Sequence, residues 1–320
     1  MHNLTNKTNN TKQNKGFTFL ELIIAMMLGL FVIVALYAFF ASAKVSNQIT
    51  NRLASIQETG RFTVELISRD IQRSGYFGGN ANIGEIVGSH GITTPVATTC
   101  LVAGTTWGTM IEQHIFGLND SNAGYLCITD DDYLRGDILT LRYATPWTIN
   151  NFSAANVYLR SSLFKGRIFL GSDALEPANN NIDSNFQSVH QLVAHSYYIG
   201  KSDESCKGEN IPALFWKYLD NGIPTNEQLL LGVEHLQIEY GVDTNNDGSP
   251  NQYLAANAVP DWQSIAAVRV SLLIREDCPD PSYQDETKYT LGDVIYQPDD
   301  NYHRLFIDTT IALRNTLNNS

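Results

Sequence analysis

The stretch with the clearest chemical pattern is Asp243-Thr244-Asn245-Asn246-Asp247-Gly248. It sets oxygen side chains from Asp243, Asn245 and Asp247 at alternate positions and puts a glycine where the chain must turn sharply. Calcium loops use that arrangement. The twelfth position is Leu254, not the bidentate glutamate of an EF-hand, and strand-like rather than helical segments flank the stretch. Further oxygens would have to come from the backbone or from a distant acid such as Asp261. The competing reading is a polar hairpin turn, where Asp, Asn and Gly are favoured for local backbone reasons.

Little else in the chain suggests a reaction. The seven histidines are scattered, and the spacing of His190 and His195 suits neither a helix face nor a strand face. Asp130-Asp131-Asp132 reads as a solvated loop. Trp107, Trp147, Trp216 and Trp262 read as core contacts rather than a carbohydrate platform. No GxSxG, P-loop or GxGxxG occurs. The net charge is −12 and the pI about 4.9, which argues against a general nucleic-acid binder.

One acid stands out by its surroundings. Glu21 lies at the start of an apolar run, and Leu22 to Ala41 contains no charged residue. Twenty such residues in a helix span about 30 Å, the hydrocarbon thickness of a bilayer, and an unpaired carboxylate there is costly. Lys7, Lys12 and Lys15 precede the run, so the positive-inside bias keeps that end cytoplasmic and exports the rest. In an exported chain, Cys100, Cys127, Cys206 and Cys278 suggest two disulfides. Of three possible pairings, Cys100–Cys127 with Cys206–Cys278 is the simplest. There is no CxxC and no zinc-type Cys/His cluster.

Gly16-Phe17-Thr18-Phe19-Leu20-Glu21, followed by the apolar helix, resembles the type IV prepilin signature. The resemblance implies that a prepilin peptidase cuts after Gly16, that Phe17 becomes the methylated N-terminus, and that Glu21 meets the α-amine of a neighbouring subunit. An ordinary signal anchor is the plainer alternative. Residues 57–78 (QETGRFTVELISRDIQRSGYFG), together with three C-terminal strand-like segments, resemble the PilW family of minor pilins. Members often carry a cysteine directly after the first of these segments; here Gly79 and Asn80 follow.

The elements that position these residues follow from periodicity. Ile49, Leu53, Ile56, Gly60, Val64, Ile67 and Ile71 form one helical stripe, while Glu58, Arg61, Glu65, Arg69 and Asp70 are expected on the other face. Gly75 is the expected stop. Residues 137–143, 192–199, 213–219, 228–243, 264–276 and 305–313 read as strands, and 172–187 as a polar loop. The 228–243 segment is expected as one strand. Residues 79–135 read as loops and short strands.

The expected fold is therefore α+β and pilin-like: a long N-terminal helix packed on antiparallel sheet, with an enlarged β-rich body. The expected divisions are a cleaved leader, 1–16; a spine helix, 17–74, whose 17–41 part is the membrane and assembly segment; and a periplasmic body, 75–320, with room for two subdomains. The resemblance implies a minor pilin in pilus assembly, not an enzyme, with no cofactor beyond the calcium option. It implies other minor pilins, the major pilin, the prepilin peptidase, the inner-membrane assembly platform and a tip adhesin as partners. The subunit would sit in the inner membrane before assembly and on the pilus afterwards. A J-type pseudopilin of type II secretion and a membrane-anchored periplasmic binding protein are the alternatives.

Overall fold

A computed structural model describes residues 16–88, 105–173 and 188–315. The expected leader up to residue 15, Cys100 and most of the 172–187 loop lie outside the described residues. The chain divides into two units, Met1–Arg52 and Leu53–Ser320.

Helix α1, Phe19–Arg73, starts in the first unit and ends in the second. Its first part is long and apolar enough to cross a membrane. Large side chains there, including Phe19, Leu28, Phe31, Phe39 and Phe40, are exposed, as a lipid- or partner-facing helix requires. Among the stripe residues, Ile49 and Leu53 are also exposed.

The last turns of α1 belong to the second unit and bury Ile56, Gly60, Thr63, Ile67, Asp70 and Ile71. Burying an isoleucine fully is worth about 1.5–3 kcal/mol, so Ile67 and Ile71 are strong anchors. Gly60 allows close approach: a Cβ there would lie 2.5 Å from Ile307 Cδ1. One expectation fails, because Asp70 is 6% exposed rather than on the solvent face. It lies three residues after Ile67 and next to Ile71, so the buried stripe widens there to include it. The helix stops where Gly75 takes φ +79 and donates its N–H to Arg142 O at 3.0 Å.

The strands follow as β1 (Ile86–Gly88), then, after a short helix α2 (Thr105–Thr109), β2 (Ile115–Leu118), β3 (Tyr133–Ala144), β4 (Val157–Ser161) and β5 (Gly166–Leu170). Next come β6 (Ser188–Cys206), β7 (Glu209–Asp220), β8 (Ile223–Leu231), β9 (Val233–Val242) and β10 (Gln252–Ala255). The described chain closes with β11 (Ile265–Arg275), β12 (Tyr289–Leu291), β13 (Val294–Tyr296) and β14 (Arg304–Ala312).

Among the described residues, eight strands form one sheet along β1-β5-β4-β6-β3-β2, with β7 and β8 joined to it through β6. Strand β6 is long enough to pair first with β4 and then, further along, with β7. Among the described residues, four strands form a second sheet that is antiparallel throughout, β10-β9-β11-β14, whereas β1 and β5 of the first pair parallel; β12-β13 is a separate hairpin. The main core lies among α1, Leu139, Leu141 and Tyr197 of the large sheet, and Leu236, Ile238, Val268, Val270 and Leu272 of the small one.

The expected single strand over 228–243 is two strands. Gly232, at φ +78, ends β8 in the large sheet and starts β9 in the small one. A Cβ at this position would meet Arg275 O at 2.7 Å, so only glycine fits without displacement. Asn221-Gly222, both at positive φ, closes the β7–β8 hairpin, a turn signal present in the sequence.

Candidate functional site

The N-terminal site is small and local. Thr18 N–H donates to Glu21 Oε2 at 2.9 Å, and Thr18 Oγ1 lies 3.1 Å from the same oxygen. In return Glu21 N–H donates to Thr18 Oγ1 at 3.3 Å. This is a capping box, in which two otherwise orphaned donors of the first turn are satisfied reciprocally. The sequence signal, Thr-x-x-Glu at 18–21, was available but is overshadowed by the apolar run. Gly16 and Phe17 precede the helix and are exposed.

A second polar centre lies under the last turns of α1. Asp70 accepts from Tyr143 Oη at 2.8 Å and Tyr197 Oη at 2.6 Å, and its Oδ2 lies 2.6 Å from His195 Nδ1. Burial alone would raise the Asp70 pKa; the hydrogen bond and charge of His195, with the two phenols, outweigh it and hold the carboxyl below its ordinary value. Burial, with the Asp70 charge, pushes both tyrosines up. All three partners come from the large sheet, so Asp70 pins the helix to it. The pattern missed in the sequence is His195 and Tyr197, two apart on one face of β6, together with Tyr143 on β3.

Beside this centre is an open cleft of about 500 Å³, lined by Phe62, Leu66, Arg73, Trp216, Leu229 and Leu230 among others. Trp216 packs on His195, with ring centroids 4.2 Å apart and the planes tilted by 43°, and donates Nε1–H to Glu227 Oε2 at 2.9 Å. Trp107 is fully buried and Trp262 packs on Tyr240, whereas Trp147 is exposed. These positions do not assemble a carbohydrate platform.

The Asp243–Gly248 stretch forms the β9–β10 turn. Asp243 accepts from Gly248 N at 2.7 Å and Asn245 N at 3.1 Å, Asn245 Oδ1 from Asp247 N at 3.3 Å, and Asp247 Oδ1 from Ser249 N at 2.8 Å. Partial burial would raise the Asp243 pKa, but these backbone donors hold it below its ordinary value. Asp261 is not part of this turn; it caps Trp262–Ser264 by accepting from Gln263 N at 3.0 Å. In the acid run, Asp132 caps its own turn at Thr129, and Asp130 accepts from Asn122. Among the described residues, no three His, Cys, Asp or Glu side chains are gathered to hold a metal ion.

Cys206 and Cys278 form a disulfide, with Cα atoms 5.4 Å apart. Cys127 is also disulfide-bonded. Arg304, whose side chain is fully buried, ties β14 to Glu234, Asp285 and Asp300.

Residues 196–315 match the family model described as Type IV Pilus-assembly protein W, and residues 11–37 match the prokaryotic N-terminal methylation motif. The first match runs from the second half of β6 through β14, and the second covers Gly16, Phe17, Glu21 and the start of α1. No curated protein and no solved structure matches the chain.

Proposed function

We propose that this type IV prepilin, whose residues 196–315 match the PilW family model, works as a minor pilin in the start of pilus assembly or at the pilus tip. A role as a subunit related to the type IV pilus follows from the two family matches. The finer role rests on one observation: the apolar part of α1 exposes its large side chains along its length, with a single carboxylate at its head. Such a surface suits a bilayer first and other apolar helices later.

In this reading the peptidase cuts between Gly16 and Phe17 while the helix is anchored in the inner membrane and the β-rich body is periplasmic. The helix then leaves the bilayer and packs among other minor pilins and the major pilin, driven by the assembly platform. An α-amine at Phe17 and a carboxylate at Glu21 of a neighbour compensate each other, because each charge in an apolar bundle needs a counter-charge. The subunit carries out no reaction itself.

The test has two parts. N-terminal mass spectrometry of membrane protein should show methylated Phe17; an N-terminus at Met1 or beyond Ala41 overturns the processing. Deleting the gene should reduce surface pili and twitching; unchanged piliation with loss of protein secretion would assign the subunit to an export system instead.

A further inference from the structure

Residues 276–303 run out from the end of β11 and return to the start of β14. The two legs bond to each other. Glu276 N–H donates to His303 O at 3.1 Å, Asp280 N–H to Asn301 O at 2.7 Å and Asp285 N–H to Asp300 O at 2.7 Å, and the β12–β13 hairpin closes the tip. Among the described residues, no backbone–backbone hydrogen bond joins this arm to either sheet. Leu291 and Tyr302 are its buried apolar side chains, and neither belongs to the apolar clusters that hold the sheets and α1 together. The tip lies over β9: a Cβ on Gly292 would stand 3.4 Å from Glu239 Cγ and 3.7 Å from Gln237 Cβ.

Polar side chains hold the arm down. Arg304 Nη1 donates to Asp285 Oδ2 at 3.1 Å and to Asp300 Oδ1 at 2.6 Å, and its Nη2 to Asp300 Oδ2 at 2.7 Å. Towards the tip, Tyr296 Oη accepts from Arg135 Nη1 at 2.8 Å and donates to Glu234 Oε1 at 3.0 Å, while Asp293 Oδ2 accepts from Asn119 Nδ2 at 3.0 Å. At the root, Cys278 is bound to Cys206, and Lys207 Nζ donates to Pro279 O at 3.1 Å. A segment attached by side-chain polar contacts rather than by a core or a sheet ladder belongs to the low-stability end of a fold.

We propose that residues 276–303 form an acid-released arm: the ion pairs of Asp285 and Asp300 with Arg304 clasp it to the small sheet at neutral pH, and in acid it lifts off β9 as a unit while both sheets stay folded, uncovering Gln237 and Glu239. The clasp can open without stranding a buried charge. Arg304 also donates Nε–H to Glu234 Oε2 at 2.6 Å and Nη2–H to Glu234 Oε1 at 3.0 Å, and both residues stay with the small sheet. The arginine therefore keeps a counter-ion, whereas the two aspartates leave for water.

Burial would raise the pKa of both aspartates. For Asp285, hydrogen bonds from Thr287, Tyr289 and Arg304 outweigh it; for Asp300, those from Arg304 and the Tyr302 N–H do, helped by the charges of Arg304 and Arg275. The other charged groups around the clasp are Glu234 of β9, Arg135 of β3 and Glu276 at the root. Both carboxyls are held below their ordinary value, so they favour the closed arm at neutral pH, and that contribution is lost as pH falls through the depressed values.

The test is hydrogen–deuterium exchange on the full chain in detergent, expressed as protection factors so that the pH dependence of intrinsic exchange is removed. At pH 7 the amides of Asp285 and β12–β13 should be protected, though less than those of β11. In a series from pH 7 to pH 3 the arm should lose protection by about tenfold or more before β11 changes. Asp300 is partly exposed. Asp300→Asn should produce that loss already at pH 7 and leave β11 at its wild-type protection. If this variant fails to fold, the wild-type series decides by itself. An arm unprotected at pH 7, an arm that loses protection only together with β11, or wild-type protection of the arm in folded Asp300→Asn would each overturn the proposal.

Discussion

Thr18 and Glu21 satisfy each other: the backbone N–H of Thr18 donates to the Glu21 carboxylate, and the Thr18 hydroxyl accepts the N–H of Glu21. The acid that the proposed assembly needs is thus already engaged in the isolated subunit. In the proposed assembly, docking would exchange a local partner for a neighbouring amine.

Glu21→Ala should therefore be processed and inserted in the membrane normally but enter pili poorly. Removing one partner of a desolvated pair costs roughly 3–5 kcal/mol, while losing a cap costs only about 1 kcal/mol. Fractionation of sheared pili against membranes measures the difference. Wild-type levels of the variant in the pilus fraction would reject the pairing role.

Asp70→Ala should destabilise the body by about 3 kcal/mol, because it leaves Tyr143, Tyr197 and His195 without their shared buried acceptor. The Asp70 pKa is held below its ordinary value, so its contribution is complete at neutral pH and is lost in acid, as pH falls through the depressed value. Asp70→Asn should remove that acid-range slope in urea titrations.

His114 governs a different pH window. Burial first, and then the neighbouring Arg142 charge, lower its pKa from 6.5 to about 4. Between those values the unfolded chain takes up a proton that the folded chain refuses, so stability falls as pH drops from about 6.5 to 4. The loss should reach about 3 kcal/mol. In chemical denaturation, the stability difference between the wild type and His114→Leu should change by about 2 kcal/mol between pH 7 and pH 5, against the wild type at the lower pH.

Breaking the Cys206–Cys278 bridge, which closes a separation of 72 residues, should cost about 4 kcal/mol in the chain-entropy account. Cys206→Ser and Cys278→Ser should lower stability equally, and together no further. Additive losses would mean that the effect is local packing rather than the crosslink.

Strict alternation made the small sheet readable in advance: Val268, Val270, Leu272 and Ile274 mark β11, observed as Ile265–Arg275. The helical stripe likewise located the buried turns around Ile67 and Ile71. Asp70 escaped because its burial depends on three partners at least 73 residues away in the chain, which local periodicity cannot register. Gly232 was misread because its neighbours remain strand-like on both sides. Cys100 lies outside the described residues, so the expected Cys100–Cys127 pairing is open, whereas the expected Cys206–Cys278 bridge is present.

Gly232 has an effect on how this body can vary. It passes the chain from one sheet to the other with no loop between them, so the phase of β8 and the phase of β9 are locked together. Because strand side chains alternate, one inserted or deleted residue here would turn Leu236, Ile238 and Tyr240 away from the main apolar core and set Gln237 and Glu239 against it. Length changes must therefore fall elsewhere, in the β9–β10 turn or the long β11–β12 connection, where a changed residue count shifts no strand. The glycine is a phase lock: the body can grow new surface at its turns while the two sheets keep one fixed alignment.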